Sequence, residues 1–329
     1  RKAIFPVKIS QHINRKKGTY MQEITTLAEN LFVFLFIIII GLLIGYKKYV
    51  SKEFKDDLTF LLLKVTLPAM IFNAIARPFN GDMMKSGLYT FILALIGFTI
   101  CFVVGYIFMK VFKVKEERQG IWLMGTTFSN VGFMGFPVIH AMYGENGLFL
   151  TSFVNIAFNI SFYSIGVFIL TMGQEQKSID WKDMFVNNIM FAVLLGLFIY
   201  FTQISIPDFA RRLVTMVGNM TTPLSMLIIG LTLSEYPLKE IFNQRLQYAL
   251  SFVRLLAAPL VIILFFKGLP IEVNELMVNV LVILNAMPIA ANTTLLAHEY
   301  GGDYEFAAKS TTLSTVLSLL TLPLIFLFI

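Results

Sequence analysis

A single cysteine in 329 residues, Cys101, leaves no disulfide and no cysteine metal site to organise the chain. It sits inside the third long apolar run and reads as a small buried hydrophobe. Charged residues are scarce at 14%, and beyond position 20 the two signs balance at 20 each, so a nucleic-acid surface has no basis. No acid occupies the middle of an apolar run; Asp57 and Asp208 lie only near run starts, which removes the usual parts of a carboxylate proton relay. His298-Glu299 is followed by Tyr300-Gly301-Gly302 rather than a second histidine at zinc-protease spacing, and there is no Gly-x-Ser-x-Gly elbow. An intramembrane enzyme therefore lacks a motif, and a non-transporting sensor lacks a domain to signal through. No cleavable signal peptide is visible, because the first apolar run is long and no small-residue cleavage pattern follows it.

What is abundant is hydrocarbon. With 57% hydrophobic residues and 33 phenylalanines, the chain reads as an all-α polytopic membrane protein. A span takes roughly 20 mostly apolar residues, and ten segments qualify. The first five are Leu27 to Tyr46, Leu58 to Ile75, Leu88 to Phe112, Gly120 to Tyr143 and Leu148 to Met172. The second five are Asn187 to Ile206, Phe209 to Leu233, Leu246 to Phe266, Leu276 to Ala297 and Phe306 to Ile329. From residue 21 onward the loops after odd-numbered segments, together with the segment ends that adjoin them, carry 13 Lys and Arg against 5 on the other side. The positive-inside rule then puts both termini outside a plasma (inner) membrane.

Residues 1–20 hold six basic residues and no acid, and the first methionine is Met21, so this stretch is expected to be a non-native or disordered basic extension. The rest divides into a first five-helix repeat (21–172), a short cytoplasmic linker (173–183) and a second repeat (184–329). Five is odd, so the second repeat enters from the opposite side and the repeats are inverted. They correspond in detail, with Pro68 in segment 2 matched by Pro223 in segment 7, each expected to bend its helix.

Segments 4 and 9 break at their midpoints, at Ser129-Asn130-Val131-Gly132-Phe133-Met134-Gly135-Phe136-Pro137 and at Asn285-Ala286-Met287-Pro288-Ile289-Ala290-Ala291-Asn292. Paired interruptions one half-chain apart mark the centre of a secondary transporter. Unwound backbone survives at that depth only where it lines a cavity or packs on protein, so the two breaks are expected to face each other. Gly132 and Gly135 permit the unwinding, and Pro137 suits the first turn of the half-helix that restarts. Restarting half-helices aim free N–H groups and positive dipole ends at the midplane, which favours a carboxylate or another small anion. Asn130, Asn285 and Asn292 flank the crossing and either contact the ligand or cap the broken ends.

Thr151, Asn155 and Asn159 recur every four residues on segment 5, a polar stripe that lines the pathway or bonds to neighbouring helices. The same two readings apply to Ser310, Thr311, Thr312, Ser314 and Thr315. Lys64 and Arg254 are the ionisable residues deepest in the spans, at a cost of roughly 2.5 kcal/mol or more each on insertion scales. With His140, they are candidates for gating or attracting an anion; snorkelling for the first two, and simple packing for His140, are the competing readings. Any proton or sodium coupling would rest on backbone carbonyls, hydroxyls or His140. No cofactor or metal site is indicated.

Three stretches resemble the auxin efflux carrier family, in particular its bacterial malate and malonate permease members: Leu67-Pro68-Ala69-Met70-Ile71-Phe72, then Asn130 to Pro137 with Ala141-Met142-Tyr143-Gly144, then Met287 to Thr294 running on through Glu299-Tyr300-Gly301-Gly302 to Pro323. The resemblance covers residues 21–329 and implies ten helices with helices 4 and 9 crossed, a scaffold of helices 1, 2, 6 and 7, and a mobile unit of helices 3–5 and 8–10. It further implies alternating access by elevator-like movement, a homodimer in the lipid bilayer, and an organic anion bound at the crossing. Asn130, Gly135, Pro137, Pro288 and Asn292 match the family's crossing positions. The long cytoplasmic loop of the plant carriers is missing, which argues against auxin as substrate. A sodium-coupled symporter resembling bile acid transporters is the alternative within this architecture.

Overall fold

The computed structural model describes residues 29–30, 32–170, 188–235, 245–268 and 274–328. The 1–20 extension and the 173–183 linker lie outside the described residues. Every regular element among those described is helical. Six helices are long and apolar enough to cross a membrane: α2 (Lys52–Ile75), α3 (Gly81–Val111), α5 (Val131–Leu170), α7 (Asp208–Ser234), α8 (Arg245–Gly268) and α11 (Tyr304–Phe326). Three shorter apolar helices are α1 (Phe32–Tyr46), α6 (Asn188–Thr202) and α9 (Glu275–Ala286). Two more, α4 (Glu116–Thr127) and α10 (Asn292–Glu299), are short because the chain unwinds at one end of each.

Polar side chains at their N-termini fix where several helices begin. Ser51, Asn80, Asn274 and Asp303 each accept a backbone N–H from the first turn of α2, α3, α9 and α11, satisfying donors that a helix leaves free. Interiors are shaped by proline. In α2, α5 and α8 a π-turn spans Leu62–Thr66, Val131–Gly135 and Val253–Ala257, and a proline follows two residues later at Pro68, Pro137 and Pro259. A proline ring clashes with the carbonyl four residues upstream. That carbonyl falls inside the widened turn each time, which is where the clash is relieved. The bend expected at Pro223 takes another form: α7 is interrupted at Met220, three residues earlier.

Segments 4 and 5 are two helices that meet inside α5 at a sharp kink: Gly144 has φ of +55°, a left-handed conformation that glycine adopts without steric cost, and it takes the place of a longer loop.

The helices pack in two groups. In one, α2 lies against α6 and α7, and α1 meets α7 where a Cβ on Gly230 would sit 2.1 Å from the Ile38 carbonyl oxygen. In the other, α3 packs on α4, α5, α8 and α9, while α11 packs on α4, α8, α9 and α10. Polar bonds between the groups gather at one rim. There Asn30 donates to the Ala141 carbonyl (3.1 Å), Asn73 to Glu145 (3.3 Å) and Arg77 to Asn146 (2.7 Å), around the bend at Gly144. Toward the opposite rim the ion pairs Lys55–Glu235 and Arg118–Asp303 stay within their own groups.

Candidate functional site

The interrupted helices meet. Beyond Thr127 the chain extends through Phe128, Ser129 and Asn130 before α5 begins, and beyond Ala286 it extends through Met287 and Pro288 before α10 begins. The two extended pieces form one antiparallel bridge between Ser129 and Ile289. Asn130 N–H donates to the Pro288 carbonyl (2.8 Å), and Ala290 N–H donates to the Phe128 carbonyl (3.1 Å). Backbone groups freed by unwinding one helix are therefore satisfied by those freed in the other, which is how non-helical chain persists among apolar helices. Ser314 of α11 accepts the Ile289 N–H (3.2 Å), which ties the serine stripe of that helix to the crossing.

The two faces of the crossing differ in polarity. On one face α4 and α9 end, presenting carbonyls. Arg254, fully buried on α8, donates there to the carbonyls of Thr126 (2.8 Å), Thr127 (3.4 Å), Asn285 (2.8 Å) and Met287 (3.0 Å). Its guanidinium thus bridges the ends of both helices, where helix dipoles favour positive charge. The Cys101 thiol packs 3.9 Å from the same guanidinium.

On the other face α5 and α10 begin, presenting N–H groups. The Asn130 side chain accepts the Phe133 N–H (3.0 Å), and the Asn130 carbonyl accepts the Gly135 N–H (3.0 Å). Asn292, the first residue of α10, is half-buried, and its amide donates to the Tyr163 hydroxyl (3.5 Å). Gly132 is half-buried, and a Cβ built there would meet nothing within 4 Å, so this face adjoins open space. At Gly135 a Cβ would lie 2.7 Å from Leu284 Cδ2, so this glycine is required by the close approach of α5 to α9. Pro137 and Pro288 are buried, the first in the opening turn after the π-turn and the second lending its carbonyl to Asn130.

The remaining expected residues fall in three places. Asn155 and Asn159 are buried on α5; Asn159 donates to the Asn155 carbonyl (2.8 Å), and the Asn155 amide nitrogen has no partner among the described residues. Asn285 lies on the carbonyl face, with its amide donating to the Leu281 carbonyl (2.8 Å) and its oxygen accepting from the Cys101 thiol (3.5 Å). Lys64 and His140 are not at the crossing. Lys64 is exposed beside Asn188 of α6, and His140 stands 3.8 Å from Glu145 at the rim.

Tyr163 was not singled out in the sequence. It continues the four-residue stripe of Thr151, Asn155 and Asn159, and that spacing was the available signal. An apolar cavity of about 170 Å³ lies between the two groups, lined by Phe34 and Ile38 of α1, Met226 of α7, Met134 and Val138 of α5, and Leu322 of α11.

A family model described as membrane transport protein, the auxin efflux carrier family, matches residues 26–326. The chain belongs to that family. An uncharacterized transporter of Methanocaldococcus jannaschii is 27% identical over 302 residues, covering 88% of this chain and 95% of its own length. An uncharacterized transporter of Escherichia coli K12 is 22% identical over 301 residues, covering 87% and 94%. A Rhizobium meliloti protein provisionally named a malonate transporter is 22% identical over 278 residues, covering 80% and 83%. The family and its several apolar helices make this a multi-pass membrane transporter.

Proposed function

We propose that this transporter carries a small organic anion, a mono- or dicarboxylate, by alternating access with the anion seated on the nitrogen face of the crossing. The pairing of the two interruptions carries the reading, because it turns two helix N-termini toward one place beside Asn130, Gly132 and Asn292. Such ends complement negative charge without needing a basic side chain. The apolar cavity between the two groups, which Met134 of the same π-turn lines, suits the carbon skeleton of an organic acid. The provisional malonate assignment of the R. meliloti relative points to the same substrate class.

The architecture that accompanies this reading is a five-plus-five inverted repeat of ten spans, with α4 joined to the first part of α5 as one broken span and α9 joined to α10 as the other. The group holding α1, α2, α6 and α7 acts as scaffold and pairs with a second copy, while the group holding the crossing moves. Hydrogen bonds at the Asn73, Arg77, Glu145 and Asn146 rim close one entrance in this conformer. With the termini outside a plasma membrane, that rim is external and the conformer opens inward.

The test is substrate-dependent flux in proteoliposomes loaded with short carboxylates. Asn130→Ala and Pro288→Ala are expected to abolish flux while the protein stays folded. Undiminished flux in both would remove the crossing from the mechanism. Uptake that requires sodium would move the assignment to a sodium-coupled symporter.

A further inference from the structure

We infer that Arg254 is the fixed charge that gives the crossing its preference for anions, acting through the helix ends as a positioning residue and never touching the ligand. The inference rests on the reading of the crossing as an anion seat. Each helix end carries roughly half an elementary charge. α4 and α9 bring two negative ends and α5 and α10 two positive ones, so the four ends alone sum to about zero. A ligand at the nitrogen face would find donors but little net field. Adding one guanidinium on the carbonyl face cancels the negative ends and leaves about one positive charge for the ligand to balance.

Among the described residues, no anion compensates that charge. All four oxygens it bonds are backbone carbonyls, and the side chain recorded against it is the Cys101 thiol. Asn285, whose backbone carbonyl Arg254 bonds, turns its side-chain amide to the Leu281 carbonyl instead. No carboxylate of the described residues pairs with Arg254, whereas Arg118 has Asp303 and Lys55 has Glu235. Thr127, whose carbonyl it bonds, and Val131, where α5 begins, are four residues apart, so their Cα atoms are within about 14 Å of each other and the guanidinium lies one hydrogen bond beyond the first. A unit charge about 10 Å away in a medium of effective dielectric about 20 changes anion affinity by about tenfold.

The experiment uses the purified full chain in detergent. Thermal stabilisation is titrated with malonate and butyrate and with their uncharged counterparts malonamide and butyramide. Wild type is expected to respond to each acid at concentrations at least about tenfold below its amide, and Arg254→Lys to keep that ratio. Arg254→Met should lower the ratio about tenfold by weakening the acids alone. Cys101→Asp covers the case in which Arg254→Met does not fold, since a carboxylate against the guanidinium cancels its charge and leaves its donors in place; the same tenfold loss is expected. If either variant keeps the wild-type ratio, or weakens acids and amides alike, Arg254 is only a structural bridge and the inference falls while the seat stands. If wild type itself shows no preference for acids, the anion seat and the inference fall together.

Discussion

The two faces of the crossing are built from the same chain segments and are treated in opposite ways. Where α4 and α9 end, four carbonyls converge on one buried guanidinium, and Asn285 and Cys101 fill the space around it. Where α5 and α10 begin, there is no charged side chain among the contacts: two asparagines, a tyrosine hydroxyl and a glycine beside open space line the ends. Acceptors buried among helices must find donors inside the protein, because lipid offers none. Donors left at a half-open face can be completed by something that arrives from outside. One face is held together from within the protein, and the other borders open space, where we propose that the ligand sits.

The largest effect that would break this comparison lies on the carbonyl face. Arg254→Ala leaves carbonyls of two helices without donors at about 1–3 kcal/mol each, so unfolding stability should drop by at least about 3 kcal/mol, read as a large fall in Tm. A mild fall would mean that the face is not held by the guanidinium. On the nitrogen face the loss should be functional instead. Asn292→Ala is expected to leave Tm within a few degrees while proteoliposome flux falls at least about tenfold, the size of one charge-assisted hydrogen bond. Loss of Tm with flux retained would reverse the roles of the faces.

The two glycines of α5 give a sharper, smaller contrast. Gly135→Ala must displace Leu284 and should destabilise by about 1–3 kcal/mol. Gly132→Ala meets empty space, so stability should hold or rise by less than about 1 kcal/mol, while the added methyl obstructs the seat and raises the KM for flux. Equal stability losses would place both glycines in packing. The smallest change is Tyr163→Phe, which removes only the hydroxyl beside Asn292 and should weaken acid-induced thermal stabilisation by a few-fold.

The crossing of the two interrupted helices is legible in the sequence. The interruptions announce themselves because Gly132, Gly135, Pro137 and Pro288 are poor continuations of a buried helix. The expectation that freed backbone groups must be satisfied at that depth is what makes their mutual pairing physically sensible. The side-chain assignments were less legible, for identifiable reasons. Asn285 looked equivalent to Asn130 in sequence, yet its amide finds a carbonyl one turn back on its own helix and its oxygen finds a thiol 184 positions away. Only tertiary packing decides between those partners and a ligand.

Lys64 and Arg254 share the same apparent depth, but Lys64 lies on the exposed side of its helix beside Asn188, and Arg254 points into the bundle. Periodicity around Arg254 did hold a clue, since Gln247, Ser251 and Arg254 lie on one helical face and all three are fully buried. What no spacing could reveal is that the termini of two separate helices arrive at that guanidinium together.

The most direct measurement is the position of a bound acid. Crystals grown with bromomalonate and recorded at the bromine absorption edge should place the carboxylate on the nitrogen face, within hydrogen-bond reach of the Gly132 N–H and of Asn292. An anion found against Arg254 on the carbonyl face, or away from the crossing altogether, would contradict the account.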